Sequence, residues 1–196
     1  LQSVSGERLI TKFYRPGRWS RSALQDEHHF VLDCAAEEVP VVAPLSLKNG
    51  GTIGEFEGLL FAVFPKKSGR EMDLHTDEGW RRLGSLVGRI HLAGSRRAAP
   101  SRLRMHPETT TIPEVQLLLD GAFMSPHQAR RFGEITDKII EIALNEFEDV
   151  ELQRIHGDCH RANILERPGE GLMAIDFDDM VMGPVVLDIW LLLPGN

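Results

Sequence analysis

The residues of this chain whose types and spacing could do chemistry together fall in one short stretch. It reads Ile155-His156-Gly157-Asp158-Cys159-His160-Arg161-Ala162-Asn163-Ile164-Leu165 and, past a turn, Ala174-Ile175-Asp176-Phe177-Asp178. An Asp and an Asn five positions apart recur by chance, so that pair alone says little. The succession says more: His-Gly-Asp, the Asn, an apolar run, a turn, a second apolar run and another Asp. Phosphoryl transfer asks a protein for little covalent chemistry; it needs a positioned nucleophile and a divalent cation held against phosphates. Three oxygen-bearing side chains meet that need. Asp158 would accept or orient the proton of an attacking hydroxyl, Asn163 would offer its amide oxygen to Mg²⁺, and Asp176 would be the charged metal ligand. Mg²⁺ is a hard ion that takes such oxygens and keeps water in its other positions.

A rival chemistry uses the same stretch. His156, Asp158 and His160 form a His-x-Asp-x-His cluster that could bind zinc for hydrolysis, but this leaves Asn163, Asp176 and Lys12 without roles. A non-catalytic nucleotide-binding module is disfavoured by the intact polar triad. A P-loop is absent, and Asn49-Gly50-Gly51-Thr52-Ile53-Gly54 suits a hairpin better than a phosphate cradle. His156 is expected to orient the loop through the backbone, Cys159 to pack it, Asp178 and Asp179 to be turn carboxylates, Asp188 to brace the lobe, and Trp190 with its leucines to be core.

These side chains need elements to hold them. Arg8 to Tyr14 is a β-prone run that places Lys12 on a strand before an Arg-Pro-Gly turn. A helix is predicted from about Ser20 to Ala35, with Leu24, Val31, Cys34 and Ala35 at helical spacing and Glu27 near the same side. Asp26 or Glu27 could reach the lysine, and Glu27 is the choice. Val39 to Ala43 and Leu59 to Phe64 are predicted strands, with Asn49-Gly50 as the hairpin signal between them. Proline and glycine in Phe64-Pro65-Lys66-Lys67-Ser68-Gly69 mark a connector, which divides the chain into residues 1–65 and 66–196. Beyond it, Trp80, Leu83, Leu86, Val87, Ile90 and His91 form one helical stripe, and Ser95 to Pro113 reads as irregular. A second helix starts with Ser125 as N-cap and Pro126 at the first position and carries Phe132, Ile135, Ile139, Ile142 and Ala143. Leu152 to Ile155 is predicted to be a short strand, and Ala162 to Leu165 and Leu172 to Ile175 are apolar runs joined by the Arg167-Pro168-Gly169 turn. The fold class is therefore α+β and bilobal: a small N-terminal sheet with one helix, and a mainly helical C-terminal part.

Composition narrows the setting. Apolar residues make up 42% and charged residues 26% of 196, as in ordinary globular proteins. A formal charge of -7 gives no overall attraction to nucleic acid, and Arg96, Arg97, Arg102 and Arg104 read as a solvated loop face. Two cysteines are too few for a disulfide framework. With no signal peptide or apolar span in view, a cytoplasmic protein without membrane attachment is expected. The start at Leu1 and the apolar run Ile189 to Leu193 close to Asn196 read as a fragment.

The motif residues resemble the aminoglycoside phosphotransferase and choline kinase superfamily, whose hallmark is His-Gly-Asp with Asn five residues after the Asp. Within it the chain is most similar to the bacterial stress response kinase A family of serine/threonine protein kinases. Lys-Phe-Tyr-Arg-Pro at 12–16, Phe-Ala-Val-Phe-Pro at 61–65, His-Gly-Asp-Cys-His at 156–160 and Gly-Pro-Val-Val-Leu-Asp-Ile-Trp at 183–190 carry the resemblance. It implies a protein-kinase-like fold and ATP with Mg²⁺ as cofactors. Lys12 would contact the ATP phosphates, Glu27 would be its helix partner, and Phe64, Pro65 and Lys66 would form the hinge that reads the adenine. Asp158 would be the base, with Asn163 and Asp176 holding the metal. The acceptor would be a protein Ser/Thr or a small alcohol such as an amino sugar, choline or homoserine, and the full-length protein a monomer. Two features depart from this pattern: Asp176-Phe177-Asp178 stands where protein kinases have Asp-Phe-Gly, and Leu1 to Gly6 is too short for a nucleotide-covering loop.

Overall fold

The computed structural model describes residues 6–72 and 74–193; the stretch Leu1 to Ser5, where a covering loop would begin, lies outside them. Strand β1 (Leu9–Phe13) pairs antiparallel with β3 (Leu59–Pro65), whose other edge takes β2 (Gly54–Phe56). This register sets Lys12 opposite Ala62, which is fully buried, so the lysine projects from a rigid sheet. The predicted hairpin is displaced. Asn49-Gly50 closes a local loop through Gly50 N to Leu47 O (2.9 Å) and Leu47 N to Gly51 O (2.7 Å). The hairpin itself joins β2 and β3 at Glu57-Gly58, with φ of 50° and 78°. Both turn residues take the left-handed backbone of the tightest hairpins, and glutamate at the first of them hides the signal. Val39 to Ala43 is not a strand; Val41 makes one isolated parallel bridge to Ala174.

Helix α1 (Arg21–Ala36) starts where the Ser20 hydroxyl accepts from the Ala23 N–H at 3.1 Å. It serves two cores. Leu24 packs with Tyr14, Ile53 and Ala62 under the first sheet, whereas Phe30, Val31 and Cys34 join the larger core with Leu83, Leu86, Ile90, Ile164, Ala174, Phe177 and Met180. Ala35, predicted on the buried stripe, is exposed. A second sheet has the order β4 (Arg70–Glu71), β6 (Ile164–Arg167), β7 (Gly171–Ala174), the last two joined by the predicted turn. Strand β5 (Gln153–Ile155) pairs with β8 (Val181–Gly183), a strand too short to show in the sequence.

Helix α2 (Asp77–Gly94) is capped by Thr76 and buries Leu83, Leu86, Val87, Ile90 and Ala93. Part of the stretch expected to be irregular is helical: α3 (Thr111–Asp120) accommodates Pro113 in its first turn, where a missing N–H costs nothing. Helix α4 (Pro126–Phe147) has the predicted start, completed by a capping box between Ser125 and Gln128. Neither α3 nor α4 buries a residue, and Ile135, Ile139 and Ile142 are 53%, 54% and 62% exposed. In α5 (Val186–Leu192) the expected apolar core is corrected. Leu192 is buried, but Trp190 is 71% exposed, and Leu191 and Leu193 are exposed too. Among the described residues no helix is long and apolar enough to cross a membrane.

Candidate active site

The loop from His156 to Asn163 follows β5 and is held from below. The Asp188 carboxylate accepts from the backbone N–H groups of His156 and Gly157, each at 2.9 Å, and lies 2.9 Å from His91 Nε2. Gly157 has φ of 81°, and a Cβ there would run into the Asp179 carbonyl oxygen, so the loop can approach the Asp176 segment only with glycine at this point. The His156 ring stacks on Phe177 with centroids 4.4 Å apart. Its Nδ1 faces the Asp158 N–H at 3.4 Å and its Nε2 lies 2.9 Å from the Ile175 carbonyl. Those partners assign the proton to Nε2, and burial holds the ring below its ordinary pKa. With both nitrogens engaged by backbone, His156 cannot ligate a metal, and the zinc reading loses its first ligand. Among the described residues no group of three His, Cys, Asp or Glu side chains is arranged to hold a metal.

A 3₁₀ turn over Arg161–Asn163 brings Asn163 back beneath Asp158. Its Nδ2 donates to the Asp158 carbonyl at 2.9 Å and to Asp158 Oδ2 at 3.2 Å, leaving the amide oxygen as an acceptor. The Asn163 carbonyl accepts from Ile175 N–H at 3.0 Å, which ties the loop to the end of β7. Asp176 follows in a left-handed conformation, φ 60°. The three side chains offer oxygen donors without thiolate, a set that suits Mg²⁺.

Lys12 Nζ lies 2.7 Å from Asp176 Oδ1 and 3.4 Å from Asp178 Oδ1. Burial alone would lower the lysine pKa and raise that of Asp176. The hydrogen bond and charge between them outweigh it, so Lys12 sits above and Asp176 below its ordinary value. The expected Lys12/Glu27 pair is corrected, since the lysine has taken Asp176. Glu27 is buried, and its Oε2 lies 3.8 Å from Arg102 Nη1. Burial, reinforced by the charge of Asp178 and only partly offset by Arg102 and Lys12, pushes the Glu27 carboxyl up to about 7.

Lys12, Glu27 and Asp176 form the polar end of a cavity of about 360 Å³ whose walls include Val31, Val42, Phe64, Leu165 and Ile175. A groove of about 410 Å³ along α2, between Arg82, Arg89 and Glu170, contains none of these groups, so volume alone does not select the site. Of the three predicted hinge residues Phe64 and Pro65 line the cavity, whereas Lys67 lines it in place of Lys66. Pro65 has no N–H, and the Lys66 N–H donates to Arg8 O at 2.8 Å; neither can donate to a base. Sequence reasoning did not single out Arg18, left Asp178 between a turn carboxylate and a second metal ligand, and read Arg102 as solvated. Arg18 reaches Asp178 at 3.2 Å and Asp179 at 2.5 Å, Asp178 is buried, and Arg102, read as part of a solvated face, has a fully buried side chain. Arg96 and Arg97 do lie at the surface, paired with Glu37 and Asp33.

Comparison with known proteins finds relatives along the whole chain. Stress response kinase A of Escherichia coli (strain K12) is 35% identical over 196 residues, covering 100% of this chain and 59% of that protein. The serine/threonine protein kinase RdoA of Salmonella typhimurium is 34% identical with the same coverage. The chain thus spans about three fifths of the length of these curated relatives. Among solved structures, the amicoumacin kinase hAmiN in complex with AMP-PNP, Ca²⁺ and Ami superposes with a TM-score of 0.70 at 22% identity, over 97% of this chain and 58% of that one. The match to the phosphotransferase enzyme family covers residues 1–195, and the chain belongs to that family.

Proposed function

We propose that the protein containing this chain transfers the γ-phosphate of ATP to a hydroxyl group, with protein serine or threonine as acceptor, in a stress response in the cytoplasm. The observation that carries this reading is the Lys12/Asp176 ion pair, whose residues line a largely apolar cavity, together with the hydrogen bond that joins Asn163 to Asp158. The apolar walls suit a purine, and the charged end suits its phosphates. Residues 1–65 and 66–196 are taken as the two lobes that share the cavity.

Each residue then has one task. Lys12, kept protonated by its acidic partners, binds phosphate oxygens. Asp176 and the Asn163 amide oxygen would hold Mg²⁺, which when bound neutralises charge on the transferring phosphoryl group. Asn163 Nδ2 donates to Asp158 Oδ2 and so restrains that carboxylate. Asp158 then accepts the hydroxyl proton as the oxygen attacks phosphorus and ADP leaves. Protein Ser/Thr is favoured by the 34% identity to a relative named a serine/threonine protein kinase. A small alcohol acceptor is the second reading, supported by the fold shared with a kinase solved with amicoumacin-type ligand. Phosphate transfer by the full-length protein to panels of proteins and small alcohols decides between them.

Asp176→Ala tests the metal assignment. It should abolish the metal-dependent part of nucleotide affinity, because Asn163 contributes a dipole and Asp176 a full charge. Equal magnesium enhancement in titrations of wild type and variant would move the ligand to Asp178.

A further inference from the structure

Asp176 holds a left-handed backbone, φ 60°, which a residue other than glycine keeps only where its surroundings impose it. Part of the restraint is local: Ile175 N–H is bonded to Asn163 and Met180 N–H to Phe177, each at 3.0 Å. The rest arrives from the segment after α2. Arg102 Nε donates to the Met180 carbonyl at 2.8 Å, and its Nη2 donates to the Asp178 carbonyl. One planar guanidinium thus grips the turn two and four residues beyond Asp176.

The same group touches two further elements. Its carbon lies 3.8 Å from the Trp19 ring centroid, just ahead of α1, and Nη1 faces Glu27 Oε2 on α1 at 3.8 Å. The preceding residue reinforces the contact, since Ser101 N–H donates to Asp26 at 2.7 Å. Among the described residues neither Arg102 Nη1 nor Glu27 Oε2 has a hydrogen-bond partner, although both are buried. Their attraction therefore acts through charge across 3.8 Å. Arg154 makes a useful contrast. It is equally buried and donates to Gly94, Ala93 and Asp33, but it joins α1 to α2 and touches nothing in the Asp176 turn.

We propose that Arg102 is a positioning residue of the phosphotransfer site. It clamps the Asp176–Met180 turn from behind, so that Asp176 presents its carboxylate to the metal. This rests on the phosphotransfer reading above. Lysine at this position keeps the charge beside Glu27 but has one nitrogen, which cannot span both carbonyls or stack as a plane.

The test is the gain in AMP-PNP affinity on adding Mn²⁺, measured by titration on the full-length protein. Groups that orient metal ligands typically change metal affinity by ~10 to 100-fold. Arg102→Lys should lower the Mn²⁺ gain by about tenfold or more, with metal-free AMP-PNP affinity within about twofold of wild type. Arg154→Lys should lower the melting temperature and leave the Mn²⁺ gain unchanged. If Arg102→Lys does not fold, Trp19→Leu, which removes the ring 3.8 Å from Arg102 and 5.6 Å from Arg18 while leaving the guanidinium in place, should lower the gain by a smaller factor. An unaltered Mn²⁺ gain in whichever of these folds, or an equal loss in Arg154→Lys, overturns the positioning role. A wild type with no Mn²⁺-enhanced binding overturns the phosphotransfer reading, and the clamp with it.

Discussion

Helices α2 and α4 carry apolar stripes of similar regularity, and each begins with a hydroxyl N-cap. Yet α2 buries Leu83, Leu86, Val87 and Ile90, while α4 buries nothing and leaves Ile135, Ile139 and Ile142 more than half exposed. The difference lies in what surrounds them. Helix α2 is enclosed by α1, β5 and β7, and it carries the His91 that meets Asp188 beneath the catalytic loop. Helix α4 packs on α3, which buries no residue of its own. Periodicity therefore identifies the face a helix would bury; whether that face is covered depends on the neighbours. The proposed chemistry sits entirely on the enclosed half.

The largest expected effect sharpens that contrast. Asp158→Asn in the full-length protein should lower turnover by ~10² to 10⁴-fold with nucleotide affinity nearly unchanged, because the residue acts on the acceptor hydroxyl. Steady-state assays with equilibrium nucleotide titration check this, and turnover within a few-fold of wild type would remove the base assignment.

Stability should divide the two helices more directly. Ile90 is fully buried, so Ile90→Ala should cost ~2 to 5 kcal/mol through lost burial and the cavity left behind. Ile139 is 54% exposed, and Ile139→Ala on this chain should change stability by no more than ~0.5 kcal/mol. Denaturant melts of both variants measure the gap; comparable losses would show that α4 is covered after all.

A further expected effect is a pH dependence. Glu27 titrates at 4.5 when unfolded and near 7 in the fold, so the folded state holds its proton more tightly. Its contribution is fully present below pH 4.5 and is lost as pH rises to about 7. His28, held down at about 4 by burial, runs the other way, gaining stability as pH rises through that range. Glu27→Gln removes the first contribution and leaves the second. The melting temperature of the variant relative to wild type should therefore climb between pH 4.5 and 7, and a constant difference would show that Glu27 titrates normally.

Much of the candidate site's local geometry was legible because its signals are local. His156, Gly157, Asp158 and Asn163 lie within eight residues, and the loop they form is held by backbone geometry that the glycine and the asparagine themselves permit. Asp176 was legible for a similar reason, since a short hairpin returns the chain to it. Lys12 needed only a β-prone run to place it on a strand.

Arg102 had no such signal. It stands in an irregular segment beside Arg96, Arg97 and Arg104, and nothing in their spacing separates a buried guanidinium from solvated ones. Only packing decided it: Trp19 closes one face, the Asp178 and Met180 carbonyls take its edge, and Glu27 supplies opposite charge. The partner of Lys12 was settled in the same way. Sequence offered Asp26 or Glu27 on the next helix, but the fold brings Asp176 to 2.7 Å and turns Glu27 toward Arg102. Residue order thus determined which groups could do the chemistry, because loops and hairpins join near neighbours along the chain. Which charges pair across the cleft was decided by tertiary structure, because Coulomb energy depends on distance and burial, and neither is written in the spacing of residues 164 positions apart.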